Sequence, residues 1–449
     1  MYFNGSLSSS LCPKTITREI SDKSFVLSCS PSILRLDYFD VQILCCILAE
    51  SLNSVINSLS LINVLETVSV VLHSEAARNY EFLREFLDKY LITLTLGPSK
   101  FFASTWPCLV SLALQLPSLF PAYTIPPFKS DEISHIILSR RQVACLVTEE
   151  AMHQGAVQAY LTALFIYFEA IGGDEPNTEL LHHSVEDWPI IFTLMEMPES
   201  KSYSLFRNAP ASLSCLAAVQ LPHQSTDIPY LSLPDGACVI SANKCVGIGA
   251  TGTQEEFHVG ISPEAYPVSL LALPLRDRQA FLDEVLHTGP RSSSANWRNR
   301  IMLFIDALEL DLVGLAYSHG GESIPDLMPG YLHRELAKAC TAFCSHYYGS
   351  IGKPSSFITT GHWGCGAFGG NKKVRAISQW HAASMANVPE LRYILGGTEQ
   401  KRFGDELIKR GLEPRYLFEV LVRLGKDIQN GKSCIPDPDN IFEYVLNCL

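Results

Sequence analysis

Near residue 190 the hydrophobic period of the chain changes, and that change limits what the chain can fold into. From about 38 to 170 apolar residues recur at three- and four-residue spacing, as in DVQILCCILAESLNSVINSL and NVLETVSVVLH. Such spacing lines one face of a helix. DEISHIILS reads as a short helix capped by Asp131, and QVACLVTEEAMHQGAVQAYLTALFIYFEAIGG as one long helical region or two, ended by Gly172 and Gly173. Beyond 190, short runs with strand character appear: GACVISA, FHVGIS, IMLFIDAL, SSFITT and LRYILG. Helical runs alternate with them. GYLHRELAKACTAFCSHYYG places Leu332, Leu336, Ala339 and Phe343 on one face, and NKKVRAISQWHAASMA places Val374, Ile377, His381 and Met385 on one stripe. This alternation predicts an α/β domain with at least some parallel strands. PRYLFEVLVRL and NIFEYVLNCL predict two further helices in the tail.

At 449 residues the chain exceeds what one core usually covers, and its 47% apolar content suits a globular protein. The expected division is a Ser-rich tail or loop at 1–37, an all-helical accessory domain at 38–195, an α/β domain at 196–400, and C-terminal helices packed on it at 401–449. A net charge of −12 offers no broad basic face for duplex nucleic acid, although a local pocket can still hold an anion. The most apolar stretch, ASTWPCLVSLALQLPSLF, carries two prolines and is short for a membrane span. The first 24 residues lack a basic start followed by an apolar core, so neither membrane insertion nor secretion is expected. Fourteen cysteines without a C-x-x-C pair read as reduced thiols of a cytosolic or nuclear protein. Cys340, Cys344 and His346 fall short of a four-ligand zinc site, and no metal is assigned.

Two glycine-rich loops remain. In GIGATGTQEEF (247–257), Gly247, Gly249 and Gly252 precede the adjacent acids Glu255 and Glu256, and Asn243 ends the preceding strand. Glycines let a sugar and phosphate rest against bare backbone. An Asn amide can both donate to and accept from sugar hydroxyls. The carboxyl groups suit acid–base work on a glycosidic bond, given a pKa raised by burial or by each other's charge. On a regular strand adjacent side chains face opposite ways, so an irregular backbone is expected here. The alternative is an ordinary turn followed by two solvated glutamates. The second loop, TTGHWGCGAFGG (359–370), lies between a strand and a helix, the arrangement that offers backbone N–H groups to a phosphate. Lys372 and Lys373 follow it and are expected to add positive charge. Gly364, Gly366 and Gly369 match G-x-G-x-x-G, but no ribose-binding acid follows at the expected distance, and the G-x-x-x-x-G-K-S/T pattern of a nucleoside triphosphatase is absent. The alternative is a packing turn holding Trp363 and Phe368. Acids beside one loop and a diphosphate cradle in the other suit a ligand that contains both ribose and diphosphate.

ANKCVGIGATGTQEEFHVGISPE (242–264) resembles the signature segment of poly(ADP-ribose) glycohydrolases, and GHWGCGAFGG (361–370) resembles the same family's second loop. IDALELD and HRELAKA are similar to its middle, and LSRRQVACLVTEEAMH and LTALFIYF to its helical domain, so the likeness runs over most of 40–400. It implies an α/β fold, a macrodomain-like mixed sheet flanked by helices, with an N-terminal all-helical accessory domain. It implies hydrolysis of ribose–ribose O-glycosidic bonds of poly(ADP-ribose), releasing ADP-ribose, without metal or other cofactor. By position Glu256 is the implied acid/base. Glu255 and Asn243 are implied to hold ribose hydroxyls and Gln254 to lie near the adenine. Gly247, Gly249, Gly364, Cys365, Gly366, Ala367 and Phe368 are implied to surround the diphosphate. The implied partners are poly(ADP-ribose) or ADP-ribosylated proteins, met by a monomer in the nucleus and/or cytoplasm as part of the DNA damage response. The chain departs from the family pattern at Ile248, which replaces a glycine, in the short ATGT spacer, at Ile240 in place of an acid, and at His362 where Asn is common. A glycine-flanked tyrosine that would stack on the substrate is not identifiable after SPEAYP. A binding module that has lost turnover is the competing reading, and a metal-dependent phosphoesterase a remoter one. His381 is expected to be an ordinary helix histidine, Cys365 a turn residue, and Asp306 a structural acid near the sheet.

Overall fold

The computed structural model describes residues 38–73, 80–90, 100–120, 132–146, 161–168, 189–197, 236–247, 254–272, 274–287, 298–311, 324–328, 330–348, 357–394, 409–432 and 440–448, with short pieces at 2–3, 25–26, 124–125, 128, 148–149 and 215–219. Helices α1 (Tyr38–Ser54) and α2 (Ser58–His73) divide the first helical run. Asn57 makes the break: its Oδ1 accepts the N–H of Ser60, and Ser60 Oγ accepts the N–H of Asn57, a reciprocal cap that starts α2. Helix α3 (Trp106–Leu114) follows, with Pro in its first turn, where the missing N–H costs nothing. No described helix is long and apolar enough to cross a membrane.

Strand β1 (Ser134–Ser139) then leads into helix α4 (Arg140–Leu146). The expected helix in DEISHIILS is thus a strand, while Asp131 lies outside the described residues. Burial alternates along it, with Ile136 and Leu138 inward and Ile137 outward, which is the period of a sheet edge. An apolar run this short does not fix its own period, and pairing with the next strand decides it. That strand is β2 (Pro189–Glu196). The segment 38–195 is therefore not purely helical, and the boundary expected at 195 falls inside a strand.

The remaining strands are β3 (Cys215–Val219), β4 (Ala237–Ala242), β5 (Gln279–His287), β6 (Arg298–Asp306), β7 (Phe357–Thr360) and β8 (Glu390–Ile394). They form one eight-stranded mixed sheet in the order β1-β2-β5-β6-β4-β7-β8-β3. β1, β2, β5 and β6 pair antiparallel, whereas β6, β4, β7, β8 and β3 run parallel. Four of the five strands expected from sequence are present. The fifth, FHVGIS, instead belongs largely to helix α5 (Gln254–Gly260). Its acids Glu255 and Glu256 occupy the first turn, where negative charge opposes the positive end of the helix dipole.

The central strands are buried on both faces, as parallel strands usually are. Cys238, Ile240 and Ala242 of β4, with Met302 and Phe304 of β6, join the core built by the N-terminal helices. Ala237, Val239, Leu303 and Ile305 face the other way. There they meet α6 (Tyr331–Tyr348), α7 (Lys372–Met385), α8 (Pro414–Gln429) and α9 (Ile441–Asn447) through Leu336, Phe343, Val374, Ile377, Leu417, Leu421 and Ile441. The stripes expected on α6 and α7 are all buried, and α8 and α9 pack on α7. The carboxyl ends of β6 and β4 are level, since Asp306 pairs with Ala242, and β7 lies beside β4 with Thr359 opposite Cys238. In an open parallel sheet, loops leaving such ends form the ligand crevice.

Candidate active site

The acid helix is tied to the end of β4. The side chain of Glu255 is 1% exposed and that of Glu256 5%, so neither is a solvated surface acid. Glu255 Oε2 accepts the backbone N–H of Asn243 at 2.7 Å, and Oε1 accepts that of Gly247 at 2.7 Å. Burial pushes the Glu255 carboxyl well above its usual range. The two N–H bonds pull it back in part, and the charges of Glu256 and Asp306 add to the rise. The side-chain carbonyl of Asn243 accepts the N–H of Cys245 at 3.1 Å, an Asx turn that holds this exposed residue at the strand's end. Gly247 has φ +137°, and a Cβ there would lie 2.4 Å from Ser269 Oγ and 2.9 Å from Ser269 Cα. Only glycine fits at that point of the turn. Gln254 is half-buried at the start of α5. Gly249 and Gly252 lie outside the described residues. The irregular backbone expected around the acids is a helix start rather than a kinked strand.

The second loop is seated on the end of β6. A Cβ on Gly364 (φ +70°) would lie 2.5 Å from Ala307 Cβ. The Phe368 carbonyl accepts the N–H groups of Leu310 and Asp311, at 2.9 and 3.2 Å. Trp363 is buried and donates its indole N–H to the Ile305 carbonyl at 2.9 Å. Phe368 is half-buried, while Gly366 and Ala367 are exposed at the tip. Within the loop Cys365 N–H goes to His362, Gly369 N–H to Gly366 and Gly370 N–H to Gly364. The N–H groups of Gly366, Ala367 and Phe368 have no acceptor among the described residues. Successive backbone donors of this kind make an anion-binding concavity. The helix start contributes less than expected, because the Asn371 side chain caps it and accepts the N–H groups of Lys373 and Val374. The expected positive charge is also displaced. Lys372 is exposed, and Lys373 is buried with its ammonium over the Phe442 ring. Burial raises the Cys365 thiol, as does Asp326, and Lys372 offsets this only in part. A thiol held up in this way carries little of the thiolate that a nucleophile needs.

Beneath both loops lies a buried ion network that no local sequence pattern announces. Asp306, at the end of β6, pairs with Arg334 at 2.6 Å and with Lys338, both on α6. Arg334 also meets Glu335 at 2.6 Å, and Glu335 pairs with Arg375 of α7. Arg375 bonds Asp326 at 2.8 Å, lies 5.2 Å from the Trp363 ring, and packs against the backbone at Gly364 and Gly370. Asp326 accepts the Asn371 N–H at 2.8 Å as well. Asp306 is held at the end of β6 by Arg334 and Lys338. The (i, i+4) spacing of Arg334 and Lys338 is visible in the sequence, but their partners lie on other elements. Ala242, bonded in chain to Asn243, pairs with Asp306, and the following Ala307 touches Gly364, so the sheet brings the acids and the second glycine loop to one edge. Among the described residues no group of three His, Cys, Asp or Glu side chains is placed to hold a metal ion.

Residues 281–403 match the family profile described as "Poly (ADP-ribose) glycohydrolase (PARG), Macro domain fold", and residues 97–152 match "Poly (ADP-ribose) glycohydrolase (PARG), helical domain". A 52-residue stretch is 42% identical to poly(ADP-ribose) glycohydrolase 1 of Arabidopsis thaliana, covering 12% of this chain and 10% of that relative. The match thus spans about a tenth of the curated relative's length. Among solved structures, the glycohydrolase of Thermomonospora curvata is 12% identical over 57% of this chain and 99% of its own, with a TM-score of 0.38. That of Deinococcus radiodurans in complex with ADP-ribose is 13% identical over 53% of this chain and 99% of its own, with a TM-score of 0.32. The two domain profiles of the poly(ADP-ribose) glycohydrolases thus both match this chain, the helical one before the macrodomain one.

Proposed function

We propose that this protein hydrolyses the ribose–ribose O-glycosidic bonds of poly(ADP-ribose) and releases ADP-ribose. The observation that carries the reading is the burial of Glu255 and Glu256 in the first turn of α5, at the sheet edge where the second glycine loop presents its open N–H groups. Glu256 protonates the departing ribose oxygen as the C–O bond breaks and positive charge develops on the sugar. The resulting carboxylate then takes a proton from the water that adds to the sugar carbon, restoring the acid. Glu255 and Asn243 align ribose hydroxyls, the latter through the amide N–H bonds its own turn leaves available. Gln254 lies toward the adenine. Gly247, Gly249 and the run Gly364, Cys365, Gly366, Ala367 and Phe368 surround the diphosphate.

The substrates are poly(ADP-ribose) or ADP-ribosylated proteins, bound by a monomer with no duplex nucleic acid and no membrane involved. We place the protein in the nucleus and/or cytoplasm, in the DNA damage response. Incubation with labelled poly(ADP-ribose), followed by chromatography, tests the reading. Release of ADP-ribose by the wild type that is lost in Glu256→Gln is expected. Tight binding without release would replace the enzyme with a reader of the polymer.

A further inference from the structure

The helix that carries the acids is too short to hold itself in place. α5 has seven residues, whereas isolated helices below roughly 12–15 residues are marginal in water. Its placement is therefore set by what it is tied to. Glu255 holds the N-terminal end. At the other end the Tyr266 hydroxyl donates to the Gly260 carbonyl at 2.8 Å. A run of tight turns links that end to Glu264: Ile261 N–H to Phe257, Ser262 N–H to Val259 and Ala265 N–H to Ser262.

Glu264 is fully buried, and its Oε1 receives both Arg140 Nε and the Tyr167 hydroxyl, the latter at 3.1 Å. Arg140 opens α4, and Tyr167 lies in the helical stretch 161–168, so both partners come from the N-terminal part of the chain. A buried ion pair is a weak source of net stability, since apolar residues of similar volume often do as well. What its charge-assisted hydrogen bonds do provide is fixed geometry. We propose that Arg140, Glu264 and Tyr167 form a positioning clamp through which the N-terminal segment fixes α5, and with it Glu256, against the bound sugar. The inference rests on the glycohydrolase reading of the two acids.

The test uses the full chain as wild type, Arg140→Gln, Arg140→Lys and Tyr167→Phe. It measures turnover of labelled poly(ADP-ribose), affinity for ADP-ribose, and hydrogen exchange at 254–260. Arg140→Gln is expected to lower kcat about 100-fold, the scale of a small misplacement of a reacting group, with ADP-ribose affinity near wild type and faster exchange at 254–260. Arg140→Lys should recover part of both, and Tyr167→Phe should cost roughly threefold to tenfold. If Arg140→Gln does not fold, Tyr167→Phe, which removes one hydroxyl, decides the matter by the same readouts. Unchanged kcat and unchanged exchange at 254–260 in a folded variant would overturn the clamp. A wild type that releases no ADP-ribose would instead remove the glycohydrolase reading, and the exchange comparison would still decide whether the cluster fixes the helix.

Discussion

The carboxyl group of Glu255 accepts the backbone N–H of Asn243 at 2.7 Å, across the twelve positions that separate them in sequence. With its second bond, to Gly247, it fastens the acid helix to the loop that leaves β4. Glu255→Gln keeps one carbonyl acceptor and turns an amide N–H toward the other donor. The expected loss is about 1.5–3 kcal/mol, the scale of a hydrogen bond to a charged group. Urea unfolding of the two proteins measures it, and equal midpoints at equal slopes would show that the tie contributes nothing.

The glycines divide into those that pack and those that face open space. Gly364→Ala must adopt φ near +70° and push against Ala307, so a loss of about 1–3 kcal/mol is expected. A Cβ on Gly366 would meet nothing within 4 Å, so Gly366→Ala should unfold like wild type while weakening ADP-ribose binding, because the added methyl group stands in the space proposed for the diphosphate. Thermal denaturation with and without ADP-ribose separates the two effects. A Gly366→Ala protein that binds as wild type would exclude the loop tip from the diphosphate site.

Arg375 is buried between Asp326 and Glu335. Arg375→Met leaves buried Asp326 without its cation and Glu335 with Arg334 alone, and removing one partner of a buried pair costs about 3–5 kcal/mol. Chemical denaturation tests this value. A loss below about 1 kcal/mol, the usual worth of a surface ion pair, would mean that the network is dispensable.

His381 supplies the pH dependence. Burial lowers it from its ordinary 6.5 to about 4, with Arg415 adding to the shift, and its ring packs on Phe418. Between those values the unfolded chain binds more protons than the folded one, so folding stability rises with pH across that window. The contribution is present in full above about pH 6.5 and lost as pH falls toward 4, about 3 kcal/mol in all. Denaturation at several pH values should show a flatter profile for His381→Met than for wild type. Parallel profiles would count against it.

Much of this was legible from residues alone, and the failures have physical causes. Glycine spacing and the doubled acid located both loops, because few residue types permit positive φ or bare backbone. The helices α6 and α7 were legible from their apolar stripes. DEISHIILS and FHVGIS take a different element from the one their residues suggest, because so short an apolar run fits either period and neighbouring strands or helix dipoles decide. Arg140, Glu264, Tyr167, Asp326 and Arg375 acquire meaning only through partners 40 to 124 positions away. No local pattern encodes such pairings. Asn371 closed the helix start that the sequence offered to a phosphate, because its side chain takes the same N–H groups.

A crystal structure with ADP-ribose bound would show whether Glu256 is the acid, through the position of its carboxyl group relative to the ribose oxygen at the scissile position. The expected separation is about 2.6–3.2 Å, direct or through one water, with the diphosphate against Gly364 to Phe368. A Glu256 carboxyl turned away from the sugar and beyond reach of a bridging water would contradict it.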